Sequence, residues 1–158
     1  MKRLIYCALV VLTLTSCTHQ SSATEARWPS VVVANSSGTE ISTDDLLTGN
    51  TLVVSLWSTW CVPCRRELPQ LQEFAAKHQN VSVVAVNLGD KLDSVAAYAD
   101  EIGLTMPVII DTEGRVSSAL GVTSVPSTLV IDLHGKVIAT HVGEITADEL
   151  AVLVETSN

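Results

Sequence analysis

Residues 51–64 read Thr-Leu-Val-Val-Ser-Leu-Trp-Ser-Thr-Trp-Cys-Val-Pro-Cys, and this stretch decides the fold. Its first half, Thr51–Trp57, is apolar and β-branched almost throughout, which is typical of a strand buried on both faces. From Val62 to about His78 the apolar residues recur at three- and four-residue steps, which predicts a helix. Cys61 and Cys64 therefore lie where a central strand gives way to a helix.

Strand and helix patterns alternate along the rest of the chain. Pro69 is expected to kink the first long helix without ending it, and Val108–Ile110 is too short to assign. The other predicted elements are an N-terminal hairpin at Val31–Ile41, a strand at Val81–Val86, helices at Leu92–Ile102 and Gly114–Leu120, a hairpin at Ser127–Val142 and a helix at Ala147–Glu155. The sequence predicts one α/β domain, with a central mixed β-sheet flanked by helices and an N-terminal β-hairpin extension.

The spacing of the two cysteines suits reversible disulfide chemistry. Helical residues three apart have Cβ atoms about 5–6 Å from each other, so a disulfide can open and close without refolding. Cys61 falls at the helix N-terminus, where unpaired N–H groups and the helix dipole favour a thiolate. We therefore predict that Cys61 attacks a disulfide and that Cys64, one turn further in, resolves the intermediate.

Two other uses of such a pair stay open at this point. One is a short structural bridge. The other is zinc or copper binding, because thiolates are good ligands for soft metals. A zinc site would need histidines as its remaining ligands, and the chain has His19, His78, His134 and His141. Their spacing is not typical of metal ligands, and we predict no metal site.

The N-terminus has the pattern of an export signal. Lys2 and Arg3 precede an apolar run, Leu4–Leu14, that is too short to span a bilayer. Residues 14–17, Leu-Thr-Ser-Cys, resemble the lipobox of bacterial lipoproteins, with ordinary cleavage near Ala23 as the alternative. This resemblance divides the chain into a signal peptide at 1–16, a lipidated Cys17 with a polar tether at 17–27, and a domain at 28–158.

The cysteine count and the charge narrow the function further. If Cys7 leaves with the signal and Cys17 carries lipid, Cys61 and Cys64 are the only free thiols of the mature chain, so disulfides do not form its framework. The formal charge of −8 becomes −10 without the two basic residues of the signal. Such a surface repels nucleic acid and favours neutral or basic protein partners. We expect a monomer.

Several separated segments resemble the thioredoxin superfamily, and within it the membrane-tethered thiol-disulfide oxidoreductases of the TlpA and ResA type. They are residues 57–69, which contain the Cys-Val-Pro-Cys motif, residues 81–87 and residues 121–132. The resemblance implies a thioredoxin-like fold and a cis peptide bond between Val125 and Pro126 that faces the cysteines. It also implies that the Val125 backbone binds an extended substrate peptide, and Trp60 is expected to contact such partners.

Two further positions distinguish the chain from thioredoxin itself. Thioredoxin has a buried aspartate on the strand before its cysteines, and the matching position here is Ser55. The TlpA and ResA type instead has an acid shortly after the second cysteine, a position occupied here by Glu67. Glu67 is therefore expected either to modulate the thiol pKa values and relay protons, or to be an exposed residue that balances Arg65 or Arg66.

These features together predict a lipid-anchored, extracytoplasmic thiol-disulfide reductase that needs no cofactor besides its own cysteines. Its substrates would be disulfides in exported proteins, such as the haem-attachment cysteines of apocytochromes c or cysteines of copper-site assembly proteins. A membrane thiol electron donor would reset the pair, because the bacterial periplasm is kept oxidising. The alternatives are a disulfide oxidase or isomerase, a thioredoxin-fold peroxidase and a metal-binding chaperone.

Overall fold

The computed structural model describes residues 26–157 of the chain. The predicted signal peptide at 1–16, the lipidation site Cys17 and most of the predicted tether lie outside the described residues. Within residues 26–157, no helix combines the length and the apolar character that crossing a bilayer requires.

The described chain forms seven strands and four α-helices in the alternating order that the sequence predicts. The short segment that the sequence left unassigned is a strand, β5. The strands are β1 (Val32–Asn35), β2 (Glu40–Ser42), β3 (Thr51–Trp57), β4 (Val81–Asn87), β5 (Val108–Ile110), β6 (Ser127–Ile131) and β7 (Val137–Val142). The helices are α1 (Val62–Lys77), α2 (Leu92–Glu101), α3 (Arg115–Leu120) and α4 (Ala147–Ser157), and a 3-10 turn spans Thr43–Leu46.

All seven strands join one mixed sheet in the order β2-β1-β5-β4-β3-β6-β7. β3, β4 and β5 run parallel, whereas β6 and β7 on one side and β1 and β2 on the other pair in antiparallel fashion. Every residue of β3 is buried, which confirms the prediction of a central strand. The predicted N-terminal hairpin is β1–β2, and it extends the main sheet through β5.

Side chains of successive strand residues pack on opposite faces of the sheet, which creates two apolar layers. On β3, Val53 belongs to the layer beneath α1, α2 and α4, and Val54 to the layer beneath α3 and the N-terminal segment. Cys61 and Cys64 belong to the first of these layers. This confirms the α/β sandwich and places the cysteine pair in contact with its core.

The N-terminal segment begins its contacts before the predicted domain boundary at residue 28. The carbonyl of Ala26 accepts a hydrogen bond from the amide of Val137 at 3.0 Å. The backbones of Arg27 and Lys136 form an isolated antiparallel β-bridge. The Trp28 indole is buried, with 7% of its surface exposed, and donates to the carbonyl of Thr43 at 2.9 Å. Ala26 and Arg27 therefore contact the sheet next to the predicted boundary.

Helix α1 continues through Pro69, as predicted. A proline has no N–H, so the carbonyl four residues earlier, that of Arg65, lacks its usual helical donor. The hydroxyl of Tyr98 in α2 donates to this carbonyl at 3.3 Å, and the Arg65 guanidinium lies 4.6 Å from the centre of the same ring. Tyr98 thus compensates for Pro69 from the neighbouring helix.

Candidate active site

Cys61 and Cys64 form a disulfide at the start of α1, with their Cα atoms 5.3 Å apart. Cys61 is the N-cap residue, and its sulfur accepts a hydrogen bond from the amide of Cys64 at 3.3 Å. Pro63 lies in the first turn, where its missing N–H costs no helical hydrogen bond. The structure confirms that the spacing allows a disulfide and that Cys61 lies at the helix N-terminus, where donors and the dipole favour a thiolate.

The disulfide itself is buried, and its neighbours along the chain are exposed. Both cysteines are almost fully covered in this oxidised form, with 3% and 1% of their surfaces exposed. Beside them, 70% of Trp60 and 62% of Val62 are exposed. Trp57 is fully buried and packs against Tyr98 at a centroid distance of 5.4 Å. Trp57 is thus a core residue and Trp60 a surface residue, so an apolar surface borders the disulfide.

The segment before β6 lies at the same end of the sheet. Because β6 is antiparallel to β3, Ser127 at the start of β6 pairs with Leu56 near the end of β3. The peptide bond between Val125 and Pro126 is cis, as the family resemblance implies. Val125 packs against the apolar layer that contains both cysteines. The structure therefore brings Trp60, Val125 and Pro126 to the strand end where the cysteine loop begins.

Glu67 is fully buried between α1 and the sheet. Its Oε1 accepts hydrogen bonds from the hydroxyls of Ser55, at 3.0 Å, and Thr128, at 3.1 Å. Its Oε2 accepts a hydrogen bond from the amide of Ile145 at 3.2 Å. A single carboxylate thus joins α1 to β3, β6 and the segment before α4, one helical turn beyond Cys64.

The prediction that Glu67 could be exposed and balance an arginine is wrong. The neighbouring arginines have other carboxylates: Arg65 lies 3.3 Å from Glu101, and Arg66 forms an ion pair with Glu144. Both pairs are at the surface, whereas the helical face that carries Glu67 packs on the sheet. A signal was available in the sequence, because Glu67 lies three residues after Cys64 and four before Leu71, on the apolar face of the helix.

Burial raises the pKa of the Glu67 carboxyl above its ordinary value, because desolvation penalises the charged form. The hydrogen bond from Ile145, then those from Ser55 and Thr128, and finally the charge of His141 act in the opposite direction. An acid with a raised pKa can gain or lose a proton closer to neutral pH, which is the property that proton transfer requires.

A second polar cluster, which the sequence reasoning missed, fixes the loop before Cys61. Asp90 accepts hydrogen bonds from the amide of Thr59 at 2.6 Å and from the side chain of Asn87 at 2.9 Å. Asn87 is fully buried at the end of β4 and accepts in return from the Asp90 amide at 2.9 Å. The sequence signal was available, since a buried strand that ends in Asn and is followed by Asp suggests a capped turn.

One cavity of the described residues lies away from the disulfide. It has a volume of about 450 Å³ and is lined by Leu52, Ser82 and Met106, at the strand ends opposite to the cysteines. Within residues 26–157, no three His, Cys, Asp or Glu side chains are grouped so that they could hold a metal ion.

A thioredoxin-like mixed sheet, with a Cys-Val-Pro-Cys disulfide between its central strand and the following helix, defines a thiol-disulfide oxidoreductase. The chain belongs to the Redoxin family, whose sequence profile matches residues 23–155. Both the predicted family and the predicted class of enzyme are confirmed.

Curated relatives and solved structures agree with this assignment. The chain is 34% identical over 130 residues to thiol-disulfide oxidoreductase ResA of Geobacillus thermodenitrificans, a match that covers 81% of this chain and 74% of the relative. It is similar in structure to dsbF of MTB, at 28% identity and a TM-score of 0.72, covering 82% of this chain and 96% of that one. It is also similar to a putative thiol:disulfide interchange protein DsbE from Chlorobium tepidum, at 29% identity and a TM-score of 0.71, covering 81% and 91%.

Proposed function

We propose that this chain is a lipid-anchored, extracytoplasmic reductase of disulfides in exported proteins. The observation that carries the proposal is the disulfide of Cys61 and Cys64 at the N-terminus of α1, beside an exposed apolar surface. The proposal divides the chain into a signal peptide at 1–16, a lipidated Cys17 with a tether and a catalytic domain. The redox centre would be the cysteine pair itself, with no added cofactor.

The proposed reaction transfers two electrons from the cysteine pair to the substrate. The Cys61 thiolate attacks one sulfur of the substrate disulfide, and the other substrate sulfur leaves and takes up a proton. The Cys64 thiolate then attacks the Cys61 sulfur of the mixed disulfide, which releases the second substrate thiol and forms the Cys61–Cys64 disulfide described here. A membrane thiol donor would then reduce this disulfide again.

The surroundings of the disulfide support individual roles. Exposed Trp60 would cover the thiolate and contact the partner, because an aromatic side chain supplies large apolar area. The backbone at Val125, next to Pro126, would bind an extended partner peptide by strand-like pairing. Glu67 would exchange a proton with the cysteines, since Cys64 must lose its proton before it can resolve the mixed disulfide.

The substrate class is proposed from the family resemblance. A further relative, thiol-disulfide oxidoreductase ResA of Bacillus subtilis, is 34% identical to this chain over 120 residues. Haem-attachment cysteines of apocytochromes c, or cysteines of copper-site assembly proteins, would be the acceptors of electrons. The acidic surface favours neutral or basic segments around those cysteines.

Variants of the two cysteines test the reaction. We expect Cys61→Ser to abolish insulin reduction, because no nucleophile is left to attack. Cys64→Ser should instead accumulate mixed disulfides with partners, visible as bands that disappear under dithiothreitol on non-reducing gels. Normal turnover by Cys64→Ser would contradict the assigned roles, and trapping in cells with this variant would also identify the partners.

The direction of electron flow is tested by the reduction potential of the pair. A potential near that of thioredoxin, about −270 mV, would support a reductase, whereas a potential near that of DsbA, about −120 mV, would make the chain an oxidase. Equilibration with glutathione or dithiothreitol, read by the fraction of alkylated cysteines, gives this value.

The membrane anchor is tested separately with Cys17→Ala in the full-length chain. Two acyl chains give stable membrane binding, so the wild-type protein should partition into the detergent phase and the variant should lose that partition. Equal partition of the two proteins would contradict the lipid anchor without affecting the proposed chemistry.

A further inference from the structure

A row of three polar side chains crosses the sheet next to Glu67. Ser55 of β3 is paired with Thr128 of β6, and Thr128 is paired with His141 of β7. Directly paired residues of antiparallel strands point to the same face of a sheet, so all three side chains lie on the face that Glu67 covers. The first two donate their hydroxyl hydrogens to the Glu67 carboxylate.

The row leads from the buried carboxylate toward solvent. Ser55 and Thr128 are buried, with 1% and 0% of their surfaces exposed, whereas His141 on the outermost strand is half-buried. The Nε2 of His141 lies 3.2 Å from the carbonyl oxygen of Glu144. A carbonyl only accepts, so Nε2 is the nitrogen that carries the hydrogen, and Nδ1 is left to take up a second proton.

We propose that His141 is a positioning residue of the redox centre, and that its positive charge favours ionisation of the buried Glu67 across the sheet. The proposal rests on the proposed function, in which Glu67 exchanges a proton with the cysteines. A protonated imidazole beside Thr128 favours the Glu67 carboxylate, and a neutral imidazole removes that attraction. The pH of the surrounding medium would thereby change the charge of Glu67, next to the redox centre, through His141.

Three other charged groups of the described residues near Glu67 and His141 keep their charge near neutral pH. They are Arg66 of α1, Glu144 of the segment after β7, and Glu149 of α4. Arg66 and Glu144 form an ion pair, which lowers the pKa of Glu144. The backbone amide of Thr146, followed by its hydroxyl, lowers the pKa of Glu149. Histidine is the residue type whose charge changes between pH 5 and 8.

Two substitutions at position 141 separate the charge from the shape. Glutamine is neutral at every pH and keeps a side-chain donor for the Glu144 carbonyl. Lysine keeps a positive charge through the neutral range. We therefore expect His141→Gln to raise the pKa of the Glu67 carboxyl and His141→Lys to hold it at or below that of the wild type. The matched control is His134→Gln, an exposed histidine at the other end of the β6–β7 hairpin.

Titration of the Glu67 carboxyl measures the effect directly. Infrared difference spectra of the intact domain follow its protonated C=O band, and Glu67→Gln identifies which band it is. The second measurement is the pH profile of the single-turnover reaction of reduced protein with a small aromatic disulfide. The limb assigned to Glu67 should move to higher pH in His141→Gln, so that the rates on that limb differ several-fold from wild type, and it should not move in His134→Gln.

The possible results are distinguishable. An identical Glu67 titration in wild type and His141→Gln, with normal disulfide reduction, would overturn the role of His141 and leave the proposed function standing. Absence of disulfide reduction by the wild-type chain would overturn the proposed function whatever the titrations show. If the variants fail to fold, ¹³C shifts of the wild type still decide: the Glu67 carboxyl shift must respond when the imidazole shifts of His141 show a change of charge, and no response contradicts the proposal.

Discussion

Glu67 is a buried acid whose three hydrogen-bond donors differ in kind. The amide of Ile145 can only donate, whereas the hydroxyls of Ser55 and Thr128 can rotate and accept instead. A protonated carboxyl or a carboxamide can therefore occupy the same space, with its oxygen toward Ile145 and its hydrogen-bearing atom toward the hydroxyls. This reversibility allows Glu67 to change its protonation state without repacking the sheet.

The raised pKa of Glu67 predicts a pH-dependent contribution to stability. An acid whose pKa is higher in the folded state stabilises the fold fully below its unfolded pKa, about 4.3 for Glu, and loses this contribution as the pH rises through the folded pKa. Each unit of difference corresponds to about 1.4 kcal/mol. The free energy of unfolding of the wild type, relative to Glu67→Gln, should therefore fall as the pH rises above about 4.

Urea unfolding of oxidised protein at several pH values measures this difference. Glu155→Gln removes the same charge from an exposed position of α4 and is the matched control for net charge. If the stability difference between wild type and Glu67→Gln stays constant over the range, the buried acid does not titrate as the structure implies.

The sequence predicted part of this residue-scale arrangement. The acid after the second cysteine and the serine in place of aspartate are both evident in the sequence. The hydrogen bond between Ser55 and Glu67 is not. Their connection depends on which face of α1 packs on β3, and Thr128 and Ile145 come from distant segments. A hydroxyl in the middle of each of two apolar strands, at Ser55 and Thr128, was the available signal.

At the scale of elements, α1 depends on α2 for one of its backbone hydrogen bonds. Pro69 leaves the Arg65 carbonyl without a helical donor, and the Tyr98 hydroxyl fills that place. Tyr98→Phe keeps the ring against Trp57 and Arg65 but removes the hydroxyl. We expect it to lower the free energy of unfolding by about 1 kcal/mol, the usual net value of a hydrogen bond.

A double-mutant cycle tests this explanation. Pro69→Ala restores an N–H that can donate to the Arg65 carbonyl, so Tyr98→Phe should cost less in the Pro69→Ala background than in the wild type. Urea unfolding of the four proteins gives the coupling. Equal costs in both backgrounds would mean that the tyrosine hydroxyl does not replace the bond that proline removes.

Most elements were predictable because each long one has a clear apolar period, as in β3 and α1. β5 was not, since three residues carry no period, and only its pairing with β4 and β1 makes it a strand. The backbone contacts of Ala26 and Arg27, next to the predicted boundary at residue 28, were not predictable either, because backbone hydrogen bonds give no pattern in the sequence.

At the scale of the whole molecule, the N-terminal segment closes the layer beneath α3. Trp28 fills that layer and is hydrogen-bonded to Thr43. Truncating a buried aromatic side chain costs about 3–5 kcal/mol, so Trp28→Ala should lower the free energy of unfolding by that amount. Trp60→Ala, which removes an equally large but exposed ring, should change it by no more than about 0.5 kcal/mol.

Chemical unfolding of the two tryptophan variants checks this prediction. Similar losses for both would mean that the N-terminal segment is not part of the folded core. A chain beginning at Ala26 should match the wild-type domain in this assay, whereas a chain beginning at Pro29 should resemble Trp28→Ala.

The contacts of Ala26 and Arg27 with the start of β7 also cover part of an edge strand. β7 is the last strand of the sheet, and such a strand offers open N–H and C=O groups to which strands of other molecules can add. Ala26 and Arg27 pair with Val137 and Lys136, so they cover the start of β7 and its first residue. A chain trimmed to Pro29 would lose this cover and should form oligomers through its bare strand.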